Sequence, residues 1–211
     1  MTEEETRRLL VDQLRRYYER GWISGTGGGI CGPADGGALL VAPTGVHKEL
    51  VGPDELFTID PVTETILAAP ARADLRPSEC GPIFAHIARE RGARSIAHTH
   101  ALSAVLFGDL ADGGDHVTVE RLEMLKGIRG FANTERHDVP VIRNTPREIE
   151  LVANVARALA DPRFARAYAV VVEDHGVYVW GADVWEAKRH VETYHYLFEA
   201  TVARHDRRRK G

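Results

Sequence analysis

His98 and His100 stand two apart in "SIAHTH", residues 95–100, a spacing at which two imidazoles can grip one ion. If the apolar run before them is a strand, residues i and i+2 project from the same face, so both rings can enter one coordination sphere. By themselves the pair are a weak signal, since histidines near a strand end are more often hydrogen-bonded surface groups. A catalytic zinc needs a third protein ligand and a position left open for substrate or water. His175 is the best candidate for that ligand, because it sits in a tight Asp174-His175-Gly176 turn between the apolar runs of "AYAVVVEDHGVYVWG". His190 and His195 lie among Tyr194, Tyr196 and Phe198 and read as packed histidines, while His47, His86, His116, His137 and His205 read as structural or surface groups.

A second chemistry is anion binding. Gly27, Gly28 and Gly29 end the run "GTGGG", whose backbone N–H groups can approach an anion closely because no Cβ blocks them. The alternative is a flexible turn; a nucleotide-binding P-loop is excluded by the missing Gly-Lys-Ser/Thr ending. Thr44, Gly45 and Lys48 offer a hydroxyl, backbone donors and a cation within five residues. Ser78 adds a hydroxyl at an expected helix start, where free N–H groups and the helix dipole favour negative charge.

Local signals place these groups on elements. Thr2 with Glu5 forms a capping box for a helix to about Arg20, with Leu10, Leu14 and Tyr17 on one face and Gly21 as its stop. After a Gly-rich loop, "ALLVA" and "LFTID" read as short strands. Ser78 is the expected cap of a helix carrying Ile83, Phe84 and Ile87 and closed by Gly92; "SIAHTH" follows as a strand and "ALSAVLF" as a helix. "VPVIRN" reads as a strand. Thr145, Pro146 and Glu148 then read as N-cap, N1 proline and N3 acid of a helix with Leu151, Val155 and Leu159 inward. A hairpin turning at Asp174-His175-Gly176 precedes a last helix, capped by Asp183 and reaching about Arg204. This interleaving predicts one α/β/α layered domain over residues 1–211, built on a mixed sheet rather than a purely parallel one.

Composition agrees with a globular chain: 44% hydrophobic and 27% charged residues. A formal net charge of −4 gives no field that would draw nucleic acid. The one dense basic run, residues 204–211, reads as a solvated, flexible tail. No window approaches the ~18 apolar residues of a membrane span, the acidic N-terminus fails the signal-peptide pattern, and Cys31 and Cys80 are too few for a disulfide framework. A cytoplasmic location is expected.

Taken in order, "GWISGTGGGI", "APTGVHKE", "RPSEC", "AHTH", "ERLEMLKGI" and "EDHGVYVWG" resemble the class II aldolase family, zinc enzymes that act on sugar phosphates. The resemblance implies a largely antiparallel sheet, one Zn2+ per subunit held by His98, His100 and His175, a small phosphorylated sugar as substrate, and a homotetramer with active sites between subunits. Aldolases of the family place a glutamate where this chain has Cys80, and an asparagine where it has Gly29. "EMLKGI" and "HGVYVWG" are closest to a dehydratase branch with cysteine at that place, which implies Glu123 as catalytic base and Cys80 as a substrate contact. The activity so implied is dehydration of a ketose phosphate bearing a methylthio group. Aldol cleavage or epimerisation of another sugar phosphate, and an adducin-like assembly role, are the alternatives.

Overall fold

A computed structural model describes residues 1–210. Helix α1, Glu3–Glu19, starts as its capping box dictates, with Thr2 Oγ1 accepting from the Glu5 N–H and Glu5 returning the bond to Thr2 N–H. Its buried stripe of Leu10, Leu14 and Tyr17 lies on the sheet. Strands β1 (Gly29–Pro33), β2 (Leu39–Val41), β3 (Phe57–Ile59) and β4 (Ile66–Ala68) form an antiparallel meander. Helix α2 (Gly81–Arg91), β5 (Ser95–Thr99), α3 (Leu102–Asp109), β6 (His116–Glu120) and β7 (Arg136–Ile142) follow. Helix α4 (Glu148–Ala160), the hairpin of β8 (Ala169–Val172) and β9 (Gly176–Gly181), and α5 (Val184–Lys210) complete the chain.

Among the described residues the strands make one sheet in the order β4-β3-β2-β1-β5-β9-β8-β7-β6. Only β7 and β8 pair in parallel, so the sheet is mixed and largely antiparallel. Period-2 alternation sorts its side chains. Ala97, Val171, Val177 and Val179 face a core shared with α1, α3 and α5, whereas Ile96, Val170, Val172, Tyr178 and Trp180 face one shared with α2 and α4. This is the expected α/β/α layering.

Several expectations about ends and loops are corrected. Part of the Gly-rich loop is β1, and β4 is an exposed three-residue strand, so both carry little periodic signal; β6, also without a counterpart in the sequence reading, does alternate, with Val117 and Val119 buried. Ser78 is not the cap of α2. Cys80 occupies that position, and Ser78 instead accepts the Cys80 N–H at 3.2 Å, two residues ahead of the helix cap. Helix α4 begins two residues later than Thr145-Pro146 suggests. Arg147 is its N-cap, and Thr145 Oγ1 donates to the Arg147 carbonyl, holding the approach as a turn. The basic run expected to be a loose tail is helical through Lys210, anchored where Arg204 donates to the carbonyls of Glu120 and Arg121; Gly211 lies outside the described residues.

Away from the β5 pair, His137, His190 and His195 are buried core groups, and two of them have pKa values shifted far. His137 pairs with the Tyr194 hydroxyl at 2.8 Å, and His195 lies between Thr99 at 3.0 Å and Ser103 at 3.3 Å, stacked on Trp22. Burial pulls His137 down to about 4 and His195 to about 3, from an ordinary 6.5. The unfolded chain therefore binds these protons first as pH falls. The stability they contribute is whole above about pH 6.5 and is lost as pH drops towards 4, with a slope of about 1.4 kcal/mol per pH unit for each group. Urea midpoints of chelated protein should fall steadily between pH 7 and pH 5; equal midpoints would refute the linkage.

Candidate metal centre

The register of the β5–β9 pairing builds the site. His98 stands opposite Tyr178 and Thr99 opposite Val177, which brings the end of β5 beside the turn that carries His175. An added Cβ on Gly176 would lie 2.0 Å from the Thr99 carbonyl, so only glycine lets the two backbones close there. The three rings then converge. His98 Nε2 is 2.8 Å from His100 Nε2 and 3.2 Å from His175 Nε2, and the latter two are also 3.2 Å apart.

Hydrogen bonding decides what those nitrogens present. His98 Nδ1 lies 3.1 Å from the Val177 carbonyl and His175 Nδ1 lies 3.3 Å from Asn144 Oδ1, so each Nδ1 carries the proton and each Nε2 turns a bare lone pair inward. Lone pairs this close repel unless a cation lies among them. Two nitrogens each bound about 2.0–2.1 Å from a tetrahedral ion sit about 3.3 Å apart, close to the observed spacings. Protonation is also resisted. Burial, followed by the neighbouring imidazoles, holds His98 well below its ordinary range, and burial, His175 and Lys48 bring His100 down to about 4. The residues present thus fit a divalent ion, and His98, His100 and His175 form the group that would hold it.

The glycine run serves this centre before any anion. An added Cβ on Gly27 would meet His100 Nδ1 at 2.7 Å, and on Gly28, at φ +76°, the His98 carbonyl at 2.9 Å. The Gly27 N–H is already donated to the Ser24 carbonyl, and Gly29 pairs with His98 in the sheet. Lys48 is buried, which lowers its pKa; its Nζ donates to the carbonyls of Thr26 at 2.9 Å and Val46 at 3.2 Å. That leaves one of its three N–H bonds for a further acceptor. Thr44 is held by an antiparallel bridge to Arg76, Gly45 follows it in the same turn, and Ser78 faces Gly29.

Cys80 is buried against this cluster, and burial pushes its thiol up to about 12, so it is a neutral packing and contact group rather than a thiolate. Glu123 is elsewhere. It opens an exposed 3-10 turn, Glu123–Gly127, with its carboxylate bonded to Lys126 at 2.6 Å and to Asn133, outside the groups of converging ligand atoms. The Lys126 bond holds its pKa below the ordinary value.

Two residues at the site escaped the sequence reading. Arg76 places its Nη2 3.4 Å from where a Cβ of Gly45 would be and pairs with no acid among the described residues; its one signal was a cation two residues before Ser78 in "LRPSEC". Glu148, expected only as a helix-start acid, reaches His175 Nε2 with Oε1 at 3.3 Å and accepts the Tyr178 hydroxyl with Oε2 at 2.6 Å. An open trough of about 780 Å³ is lined by Pro77, Ser78, Asn144, Glu148 and His175 among others.

The profile described as "Class II Aldolase and Adducin N-terminal domain" matches residues 8–202. A methylthioribulose-1-phosphate dehydratase of Danio rerio is 41% identical over 208 residues, covering 95% of this chain and 84% of that protein. The same-named protein of Aquarana catesbeiana is 40% identical over 203 residues, covering 93% and 83%. Among solved structures, an L-fuculose 1-phosphate aldolase superposes with a TM-score of 0.76 at 17% identity, over 96% of this chain and 87% of that one. The L-fuculose-1-phosphate aldolase of Thermus thermophilus does so with a TM-score of 0.70 at 19% identity, over 99% and 100%. At such low identity these structures establish the fold alone.

Proposed function

Since the chain belongs to the class II aldolase and adducin N-terminal domain family, we propose that it is a hydro-lyase that removes water from 5-methylthioribulose 1-phosphate, giving 2,3-diketo-5-methylthiopentyl 1-phosphate, a step of methionine salvage. The observation that carries this reading is the convergence of three Nε2 atoms within 3.2 Å of one another, in a chain about 40% identical to dehydratases of that name. The ion proposed is Zn2+, one per subunit, although three imidazoles also accept Mn, Fe, Co and Ni. When bound, it supplies Lewis-acid stabilisation of negative charge on ketose oxygens.

The chain's own residues supply the rest. Glu123 is proposed as the base that takes the C3 proton, after which hydroxide leaves C4 with a returned proton as water and the enol tautomerises to the diketone. Because its carboxylate stands on an exposed turn, it is assigned to the metal centre of an adjoining subunit, in a cytoplasmic homotetramer with interfacial sites. Cys80, small and uncharged, packs beside the reacting carbons or the methylthio group.

The phosphate is assigned to Thr44, Gly45, Ser78 and the remaining Lys48 N–H, with Gly27, Gly28 and Gly29 lining the approach and Arg76 as counter-charge. A hydrogen bond to a charged group contributes about 1.5–3 kcal/mol. Arg76→Ala should therefore raise KM by about tenfold or more while kcat stays near the wild-type value. An unchanged KM would remove Arg76 from substrate binding.

The deciding assay offers 5-methylthioribulose 1-phosphate and fuculose 1-phosphate in parallel. Formation of the diketone from the first, with no aldehyde released from the second, supports dehydration. Carbon–carbon cleavage of the second alone would favour the aldolase reading, which Cys80 in place of a glutamate argues against.

A further inference from the structure

An imidazole that binds a metal through one nitrogen needs something to aim its ring, commonly an acceptor on the other nitrogen. His98 and His175 have one each on Nδ1, the Val177 carbonyl and Asn144 Oδ1. His100 has none among the described residues, its side-chain contacts being those of Nε2 with the other two rings. What holds it is its backbone N–H, donated to the Trp22 carbonyl at 2.8 Å. The place of this ligand therefore depends on how firmly β5 ends at Thr99 and on how firmly the loop between α1 and β1 carries Trp22.

Both are fastened to one residue of α5. His195 is fully buried, and no step of the dehydration scheme uses it. Its Nε2 lies 3.0 Å from Thr99 Oγ1 and its Nδ1 lies 3.3 Å from Ser103 Oγ on α3. A neutral imidazole offers one donor and one acceptor, and the two hydroxyls take up both. The ring also stacks on Trp22, with centroids 4.3 Å apart and planes 25° from parallel. Tyr17 and Arg20 at the end of α1 pack on the same indole. Side chains alternate along a strand, so Thr99 points away from the face that carries His98 and His100. His195 thus grips β5 between the two ligand positions, from the side opposite the ion, and holds the Trp22 loop against it.

We propose that His195 is a positioning residue of the metal centre: by fixing Thr99 and Trp22 together it sets the place of His100, the one ligand whose ring has no orienting hydrogen bond of its own. This assignment rests on the metal reading given above. His137 supplies the contrast. It is buried as well and bonded to Tyr194 at 2.8 Å, but it stands on β7, three strands along the sheet from β5, and packs on Phe131 and Tyr194.

The test uses the full-length protein, with zinc competition against a chromophoric chelator and the visible spectrum of the cobalt(II)-loaded form. His195→Leu keeps the bulk and removes both hydrogen bonds. It should weaken zinc by about 10- to 100-fold, the range for groups that orient a ligand, and should alter the cobalt spectrum. His195→Gln, whose amide keeps a donor and an acceptor, should retain more of the affinity than His195→Leu. Trp22→Phe, with a smaller stacking face, should fall between the wild type and His195→Leu. His137→Leu should lower the urea midpoint yet leave zinc affinity and cobalt spectrum unchanged, which separates aiming a ligand from general stability. Wild-type zinc affinity and cobalt spectrum in His195→Leu, or in Trp22→Phe where the leucine variant does not fold, would overturn the assignment while leaving the histidine centre intact. So would a loss of zinc in His137→Leu as large as in His195→Leu. Failure of the wild-type protein to take up either ion would overturn both readings.

Discussion

His98→Ala should purify with almost no metal and with kcat/KM reduced by about 1000-fold or more. His98 is the hub of the centre: its Nε2 is in contact with both other ring nitrogens, and its Nδ1 is locked on the Val177 carbonyl. Its ring is buried and stacked on Tyr178, so the alanine cavity opens inside the site rather than at its rim. An ion acting as Lewis acid contributes several kcal/mol to a transition state, and each 1.36 kcal/mol is a factor of ten. His175→Ala should behave alike. His86→Ala is the control, because His86 lies outside the cluster and its buried Nε2 has no partner to lose. Full metal content in either ligand variant would count against that ligand, and activity that survives metal loss would count against a metal-assisted reaction altogether.

Glu123→Gln should keep its metal and lose about 100- to 10,000-fold in kcat, the range expected when a general base is removed. At neutral pH the Lys126 contact keeps this carboxylate ionised and able to accept a proton. Its exposure makes a sharper expectation available. If Glu123 serves the centre of a neighbouring subunit, then mixing Glu123→Gln with His98→Ala subunits, each inactive alone, should restore activity at sites pairing an intact trio with an intact Glu123. No recovery in verified mixed tetramers would place the base within the same subunit or on another residue. Near wild-type turnover of Glu123→Gln would remove it from the role.

Much of the architecture was legible because it is written in short-range terms. The capping box at Thr2 and Glu5, the Asp183 cap of α5, whose Oδ1 accepts the Glu186 N–H, and the apolar stripe of α1 depend on residues three or four apart. Ends set by side chains packing elsewhere were not. Ser78 and Thr145 have the chemistry of caps, yet each is used ahead of the cap position to shape the approach to a helix, and residues 204–210 continue α5, where Arg204 finds carbonyls at the end of β6. Gly27 and Gly28 looked like donors to an anion. In the fold their lack of a Cβ makes room for His100 and for the backbone of His98.

The sequence by itself determined that His98 and His100 share a face, since a strand repeats every two residues wherever it is placed. It also determined family membership, through blocks whose order needs no knowledge of their contacts. Only the tertiary structure decided that His175 meets the pair, that Glu148 reaches His175, that Arg76 lies beside Gly45, and that Glu123 is outside the cluster in its own chain. Those outcomes depend on the register of β9 against β5 and on where α4 begins, and such long-range pairings are selected by the packing of the whole sheet and not by any local run of residues.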